Sequence, residues 1–355
     1  MRPDFTRNLL QWNKSSNKRE MPWKGEKNPY KIWLSEIILQ QTRVDQGLRY
    51  YNNFIAAFPT VHDLDAAQEQ QVFKLWEGLG YYTRCKNLIA TAKIIAGELQ
   101  GQFPNTYESI LKLKGVGPYT ASAIASFAFN LPYAVVDGNV YRVLSRYFGI
   151  STPVDSTAGK TMYNELAAEL LDKDMPGIYN QAIMDFGAVI CKPQLPLCSS
   201  CVQNRECEAF RHGVVDALPV KEKVLRKKTR WFYYFVLEWN NRFYIRKRTK
   251  KDIWENLYEF SLIETNHPVA ADPLMLQAMA EGFAGKEIAI GRISEEHTQK
   301  LSHQTITGRL IALKLNAPAT LPEGYESVSK DELRQYAFPA FINNFLLEGF
   351  LSEKN

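Results

Sequence analysis

Four cysteines constrain this chain more than any other feature. Cys191, Cys198, Cys201 and Cys207 are separated by six, two and five residues, with no histidine among them. Four thiolates in one compact loop can wrap a 4Fe–4S cluster or a zinc ion, and spacing alone leaves both open. Five cysteines in 355 residues are too few for a disulfide framework, so the clustering points to metal chemistry in a reducing compartment. The fifth, Cys85, stands alone and reads as a packed helix thiol.

The length suggests two domains, or one domain plus a smaller one. With 45% hydrophobic and 23% charged residues, a disordered or fibrous chain is excluded. No apolar run approaches the roughly 18 residues of a membrane span, and MRPDFTRNLLQW lacks the apolar centre of an export signal. The expected location is the cytoplasm, on the bacterial nucleoid, or the nucleus of a eukaryote, with no membrane partner.

Residues 1–210 read as mostly helical. Asn28-Pro29 is a helix start, an N-cap followed by proline at the first helical position. It opens the run YKIWLSEIILQQTRV, followed by Asp45–Phe58. Further helices are expected at Ala67–Glu77, Cys85–Leu99, Thr106–Leu113, Thr120–Phe129, Val140–Phe148, Thr157–Leu171 and Ile178–Val189, with glycine turns between several of them. After residue 230 the texture changes. Trp231–Trp239, Arg242–Arg248 and Thr305–Leu315 read as strands, with helical pieces near 273–284 and 331–350, so a separate α+β domain is expected there.

The net charge is +5, and Lys221–Arg230 (KEKVLRKKTR) carries all of it with six basic residues and one acid. Such a strip is either a solvated linker or an attraction for a polyanion.

Three further sites carry chemistry. In Leu111–Ala121 (LKLKGVGPYTA) one helix ends at Gly115, Val116 plugs the turn, and another helix begins after Gly117. The free N–H groups of such a helix-hairpin-helix can hold a DNA phosphate without reading sequence. Asp137, in VVDGNV, either caps the helix opening at Val140 or serves as a reacting carboxylate. Glu36 shares a helix face with Ile32, Trp33, Leu39 and Gln40. A carboxylate there must be paired, by an arginine or by Gln40, or else protonated, and burial would make it a usable general acid. Two such carboxylates suit N-glycosidic cleavage. One protonates the leaving base, and the other stabilises the oxocarbenium ion.

The pairing of LKGVGPYTA with VVDGNV and the cysteine loop resembles the endonuclease III superfamily of DNA glycosylases. Met21-Pro-Trp-Lys24, NPYKIWLSEIILQQTRV and WEGLGYYTR resemble its MutY family, the adenine DNA glycosylases. The resemblance covers 5–212 well and 231–355 more loosely. It implies a helical core over 1–213, built from a six-helix barrel module (22–137) and an iron–sulfur module (the N-terminus with 138–213). A basic linker (214–230) and a Nudix-like 8-oxoguanine recognition domain (231–355) follow. It implies a 4Fe–4S cluster on the four cysteines, mainly structural and DNA-orienting. Glu36 would protonate adenine and help deliver water, and Asp137 would stabilise the sugar cation. Tyr119 and Asn139 would support the two carboxylates. Trp23, Lys24, Leu39, Val44 and Gln181 map to the adenine pocket, where Lys24 departs from the commoner arginine or glutamine. Gln41 and Tyr81 match wedges that enter the DNA stack as adenine flips out, and Gly115, Val116 and Gly117 match the phosphate-gripping hairpin. Bifunctional relatives carry a Schiff-base lysine where this chain has Tyr119, and a phenol cannot form an imine.

In the C-terminal part, Ile253–Phe260 (IWENLYEF) looks like a strand motif of the Nudix fold, yet no Arg-Glu-x-x-x-Glu-Glu run lies in 231–355. Metal-dependent pyrophosphate hydrolysis therefore lacks its ligands. Leu301-Ser302-His303 matches a Phe-Ser-His loop that recognises 8-oxoguanine, with leucine departing from phenylalanine. The expected partner is duplex DNA with adenine opposite 8-oxoguanine or G, bound by a monomer. A thymine-mismatch glycosylase, a non-catalytic damage-binding protein and a Nudix hydrolase with a helical appendage are the competing readings.

Overall fold

The computed structural model describes residues 2–222, 227–284 and 288–346. By contact density the chain forms two units, 1–65 with 87–224, and 66–86 with 225–355.

The first unit is helical. Asn28 caps helix Pro29–Leu39, accepting from the amides of Tyr30 and Lys31, with Pro29 in the first turn. This helix stops at Leu39, whereas the sequence reading carried it to Val44. Gln40 leaves helical geometry and Gln41 has φ 56. No residue type in Gln-Gln-Thr demands a stop. The break comes from packing, since Gln40 Nε2 reaches Thr120 Oγ1 at 3.1 Å. A Cβ on Gly47 would lie 2.7 Å from Leu39 Cδ2, so the next helix, Val44–Ala57, packs hard against this end. A short helix at Val61–Ala66 was not read from sequence.

Helix Arg2–Ser15 presents Phe5, Leu9 and Trp12 on one stripe. They join Val143, Leu144 and Tyr147 of helix Gly138–Phe148, Tyr163 of helix Thr157–Leu170 and Phe186 of helix Pro176–Val189 in one buried core. Phe5 meets Tyr147 at 4.7 Å and Trp12 meets Phe186 edge-on at 5.0 Å. Cys191, Cys201 and Cys207 pack against this same core, so the N-terminus and the cysteine loop share one foundation.

The second unit is built on a mixed sheet of strands β1 (Lys228–Trp239), β2 (Arg242–Lys247), β3 (Tyr258–Glu259), β4 (Ser261–Thr265), β5 (Ile288–Ile293), β6 (His297–Lys300), β7 (Gln304–Leu315) and β8 (Tyr325–Ser329). Its order is β3-β2-β1-β7-β5, with β4 paired to β1, β6 to β7 and β8 to β2. β1 runs parallel to β7, and Phe232–Leu237 is buried throughout, as expected of a strand covered on both faces. On one face Tyr233, Phe235 and Leu237 meet Leu276 and Ala280 of helix Pro273–Ala284. On the other, Phe232 packs on Trp254, and Tyr234 on Phe341 of helix Ala340–Phe345. β1 and β7 approach so closely at Gly308 that a Cβ there would lie 1.8 Å from Phe232 O. Asn240 and Asn241, both at positive φ, close the β1–β2 hairpin.

Three expectations are corrected here. The basic strip is not all linker, because β1 begins at Lys228 and Arg230 is held by Asp252 and Glu264. Residues 223–226 of the strip lie outside the described residues. Ile253–Phe260 forms a strand only at its end, since Trp254 (φ 61) and Asn256 (φ 70) turn the backbone out of extended geometry. The helical piece near 331–350 resolves into a 3-10 turn at Glu332–Gln335 and helix Ala340–Phe345, and 347–350 lie outside the described residues. Among the described residues no helix is long and apolar enough to cross a membrane.

Candidate active site

A cavity of about 930 Å³ opens in the first unit. Its wall comes from the C-terminal end of helix Pro29–Leu39, the Gly115–Thr120 hairpin, the segment 136–139 and helix Pro176–Val189. Glu36, Tyr119, Asp137, Asn139, Trp23, Leu39, Val44, Gln181, Gln41, Gly115 and Gly117 all line it. Residues far apart in sequence are thus brought to one place.

Glu36 lies on a helix that is buried nearly all round, and is itself only 6% exposed. Burial raises its carboxyl from the ordinary 4.5 to about 7, Asp137 adds to the rise, and a hydrogen bond with Tyr119 opposes it. Tyr119 is the side chain that hydrogen-bonds Glu36, while Gln40 Nε2 reaches Thr120 Oγ1 at 3.1 Å. Burial, with the nearby Glu36 and Asp137, holds the Tyr119 hydroxyl well above its usual range, so it stays a neutral phenol.

Asp137 takes the capping place read for it in the sequence. It is the N-cap of helix Gly138–Phe148, accepting from Val140 N at 2.8 Å, and it lines the cavity. Its second oxygen accepts from Asn139 Nδ2 at 2.7 Å. Burial raises Asp137, while these bonds and Arg142 pull it back. Its anionic form therefore keeps specific donors, and Glu36 has one phenol. The environments favour Asp137 as the anion and Glu36 as the acid.

Asn139 is held in turn. Arg142 donates to Asn139 Oδ1 at 2.8 Å, to Gly187 O at 2.7 Å and to Cys191 O at 2.7 Å. A Cβ on Gly187 would lie 2.6 Å from Asn139 Cβ, so only glycine lets these two helices meet here.

Other expected residues are placed less simply. Lys24 does not line the large cavity. Its ammonium reaches Asp185 Oδ2 at 3.0 Å and Arg19 O at 2.7 Å, and it borders only a second cavity of about 170 Å³ that also touches Trp23, Glu36 and Gln181. Val116 is buried as a plug beneath the two glycines. Gly115 needs its φ of +76, whereas Gly117 has ordinary φ and open space where a Cβ would stand. Gln41 is exposed on the cavity rim at φ 56. Tyr81 belongs to the second unit, is 41% exposed and has φ 50, an uncommon conformation for a bulky side chain. Cys85 is buried in helix Thr83–Lys93.

The reading of the sequence missed Arg19, Asp185 and Arg142. Asp185 left one trace, as the only charged residue in helix Pro176–Val189 (PGIYNQAIMDFGAV).

The four cysteines line one small cavity, and none forms a disulfide. Burial and the neighbouring thiols raise Cys198 and Cys207, and push Cys201 up to about 12. Arg146 points a guanidinium nitrogen at Cys191 Sγ, 3.5 Å away, and Gln203 N faces Cys201 Sγ at 3.4 Å. These donors favour sulfurs carrying negative charge. Among the described residues no group of three or more Cys, His, Asp or Glu converges as a single-ion site.

In the second unit, Leu301–His303 forms the hairpin between β6 and β7 and lines a cavity of about 410 Å³ with Tyr81, Trp254 and Asn256. Ser302 Oγ hydrogen-bonds with the Tyr81 hydroxyl. Helix Pro273–Ala284 carries only Glu281 as an acid.

Residues 34–167 match the HhH-GPD superfamily of base excision DNA repair proteins, and 233–348 match the NUDIX domain. An adenine DNA glycosylase of Buchnera aphidicola subsp. Baizongia pistaciae is 36% identical over 313 residues, covering 85% of this chain and 84% of that one. That of Buchnera aphidicola subsp. Schizaphis graminum is 37% identical over 263 residues, covering 74% and 75%. A solved thermostable thymine-DNA glycosylase superposes with a TM-score of 0.55 at 29% identity, covering 59% of this chain and 97% of its own.

Proposed function

The chain belongs to the adenine DNA glycosylases of base excision repair, enzymes with a helix-hairpin-helix core and a Nudix domain, and from that premise we propose that it removes adenine mispaired with 8-oxoguanine or G by flipping the nucleotide into the cavity around Glu36. One observation carries the reading: Glu36 is raised to about 7 in the same cavity where Asp137 is held by Val140 N and Asn139.

Protonated Glu36 donates to the adenine ring nitrogen as the N-glycosidic bond breaks, which lets the base leave neutral. Asp137, as the anion, stabilises the positive charge that develops on the sugar. Glu36, now deprotonated, takes a proton from the attacking water. Tyr119 holds Glu36 through its hydroxyl and, lacking an amine, forms no imine, so the enzyme is monofunctional. Asn139 fixes Asp137.

Trp23, Leu39, Val44 and Gln181 line the base pocket, and Lys24 acts on it from behind through Asp185. Gln41 and Tyr81 wedge into the DNA stack, a role supported by their positive φ on exposed turns. The open space at Gly117, at the start of helix Pro118–Phe129, lets a phosphate reach the backbone amides, with Gly115 and Val116 shaping the turn. Leu301, Ser302 and His303 read 8-oxoguanine. An acid-poor helix Pro273–Ala284 supports a reader over a hydrolase.

A 4Fe–4S cluster fits the cysteine loop: four thiols free of disulfides surround one cavity, with Arg146 and an amide facing their sulfurs. Cys191, Cys198, Cys201 and Cys207 would hold it. Bound there, it supplies rigidity to the loop and no step at the sugar. Cys198→Ser is expected to lower iron content and weaken duplex binding. Stoichiometric zinc without iron in anaerobic protein would count against the cluster.

The test of the catalytic reading is single-turnover base release from duplexes with adenine opposite 8-oxoguanine, G and C, beside a G·T duplex. Glu36→Gln and Asp137→Asn are each expected to slow the chemical step at least about 10²-fold with duplex binding intact. A near-wild-type rate in Glu36→Gln sinks the assignment.

A further inference from the structure

Asp185 is fully buried, lines neither cavity itself, and enters the reading above only as the partner of Lys24. Its carboxylate nevertheless accepts four hydrogen bonds, two on each oxygen. Oδ1 takes Arg19 NH1 at 2.8 Å and Gln181 Nε2 at 2.9 Å, and Oδ2 takes Asn17 Nδ2 at 2.8 Å and Lys24 Nζ at 3.0 Å. Arg19, Lys24 and Gln181 each border one or both cavities beside Glu36.

The chemistry of this hub determines which way one amide faces. With an arginine and a lysine both donating to it, Asp185 can only accept. The Gln181 amide must therefore turn its NH2 toward Asp185. Its Oε1, which has no hydrogen-bond partner among the described residues, is the end left for the cavity. An oxygen there welcomes an N–H donor and repels a carbonyl. Adenine carries an exocyclic amine at C6, whereas hypoxanthine, the same ring system, carries a carbonyl.

We propose that Asp185 is a positioning residue that sets the hydrogen-bonding polarity of the base pocket, so that a purine with a 6-amine is accepted and one with a 6-carbonyl is refused. The proposal rests on the reading of this cavity as the adenine pocket. A site built around a buried polar partner discriminates strongly between such analogues, because the wrong one leaves that partner unpaired or repelled. Asp185 would contribute by removing the alternative amide orientation, in which Nε2 faces the base and would favour the carbonyl.

The experiment uses the full-length enzyme and three duplexes, with adenine, hypoxanthine or unsubstituted purine opposite G. Single-turnover rates are measured for wild type, Asp185→Asn, Gln181→Leu and the double variant. The adenine-to-hypoxanthine rate ratio is expected to fall at least about tenfold in Asp185→Asn, a modest part of what an enforced polarity can supply. Asp185→Asn in the Gln181→Leu background should add no further change in that ratio. A merely structural role for Asp185 would instead slow all three bases in parallel and leave the ratio alone, which overturns the proposal. Gln181→Leu borders the cavity and keeps the question open to test should Asp185→Asn not fold. An unchanged ratio in Gln181→Leu overturns the proposal equally. Failure of the wild type to release adenine from any duplex would remove the pocket reading itself, whereas normal adenine release with an unmoved ratio removes only the role of Asp185.

Discussion

At neutral pH the Glu36 carboxyl is divided between its two protonation states, because burial has carried it to about 7. Two consequences follow at this one residue. The rate of base release should fall as pH rises through about 7, where the proton donor is lost, and fall again in acid where Asp137 is neutralised. The alkaline limb should vanish in whatever activity Glu36→Gln retains. Stability carries the same signature with a defined sign. Between the ordinary 4.5 and about 7 the folded protein keeps a proton that the unfolded chain has released, so raising pH through this window destabilises the fold. The full cost is about 3 kcal/mol above the window, and Glu36→Gln escapes it. Urea midpoints at pH 5 and pH 8 should show the variant gaining on wild type at the higher pH. An equal gap at both would contradict the shift. Glu36 was legible in the sequence because an acid on an apolar helix face is costly wherever it occurs. Asp185 was not, because its cationic partners Arg19 and Lys24 lie 166 and 161 residues away and only folding brings them together.

Elements tell a similar story about what local sequence can specify. The start of helix Pro29–Leu39 was readable because its cap is local, a side chain bonding amides two and three residues on. Its end was not, because Gln40 is pulled out by Thr120, 80 residues away. Strand β1 could be read from its unbroken apolar run, but its first residues lie in a basic stretch. They become strand because β7 offers a parallel partner from Gln304 onward and two acids hold Arg230. The contact between helices Gly138–Phe148 and Pro176–Val189 yields a prediction of its own. Gly187→Ala would place a methyl against Asn139, which must shift by tenths of an ångström or more and take its bond to Asp137 with it. We expect the single-turnover rate to drop at least about tenfold, since small misplacements of catalytic groups cost this much or more, with duplex binding nearly unchanged. A wild-type rate would show that Asn139 does not position Asp137.

At the scale of the whole molecule, the two units divide differently from a simple head and tail. Residues 66–86 pack with the second unit: Lys74 Nζ donates to Tyr336 O at 2.9 Å, Phe338 N donates to Glu77 Oε1 at 2.8 Å, and Lys86 pairs with Glu255 at 2.7 Å. A chain ending at residue 213 keeps Glu36, Tyr119, Asp137 and Asn139, so it should still remove adenine. It strips the partners from 66–86, so it should also melt at a lower temperature. Loss of preference for 8-oxoguanine in that truncation would then have two explanations, a missing reader and a loosened core. Ser302→Ala separates them. The hydroxyl stands on a hairpin whose backbone is fixed by its own strands, with Leu301 N donating to Gln304 O at 2.8 Å, so its removal leaves the fold intact. Its bond to Tyr81 is exposed, and losing an exposed bond costs little. A bond to the lesion would be desolvated, and losing that one should cost about 1–3 kcal/mol. Ser302→Ala should therefore keep the wild-type melting temperature and its rate on adenine opposite G, while losing rate or affinity on adenine opposite 8-oxoguanine. The truncation should show the same loss of preference together with the drop in melting temperature. Full wild-type preference for 8-oxoguanine in the truncated enzyme would mean that the second unit is not the reader.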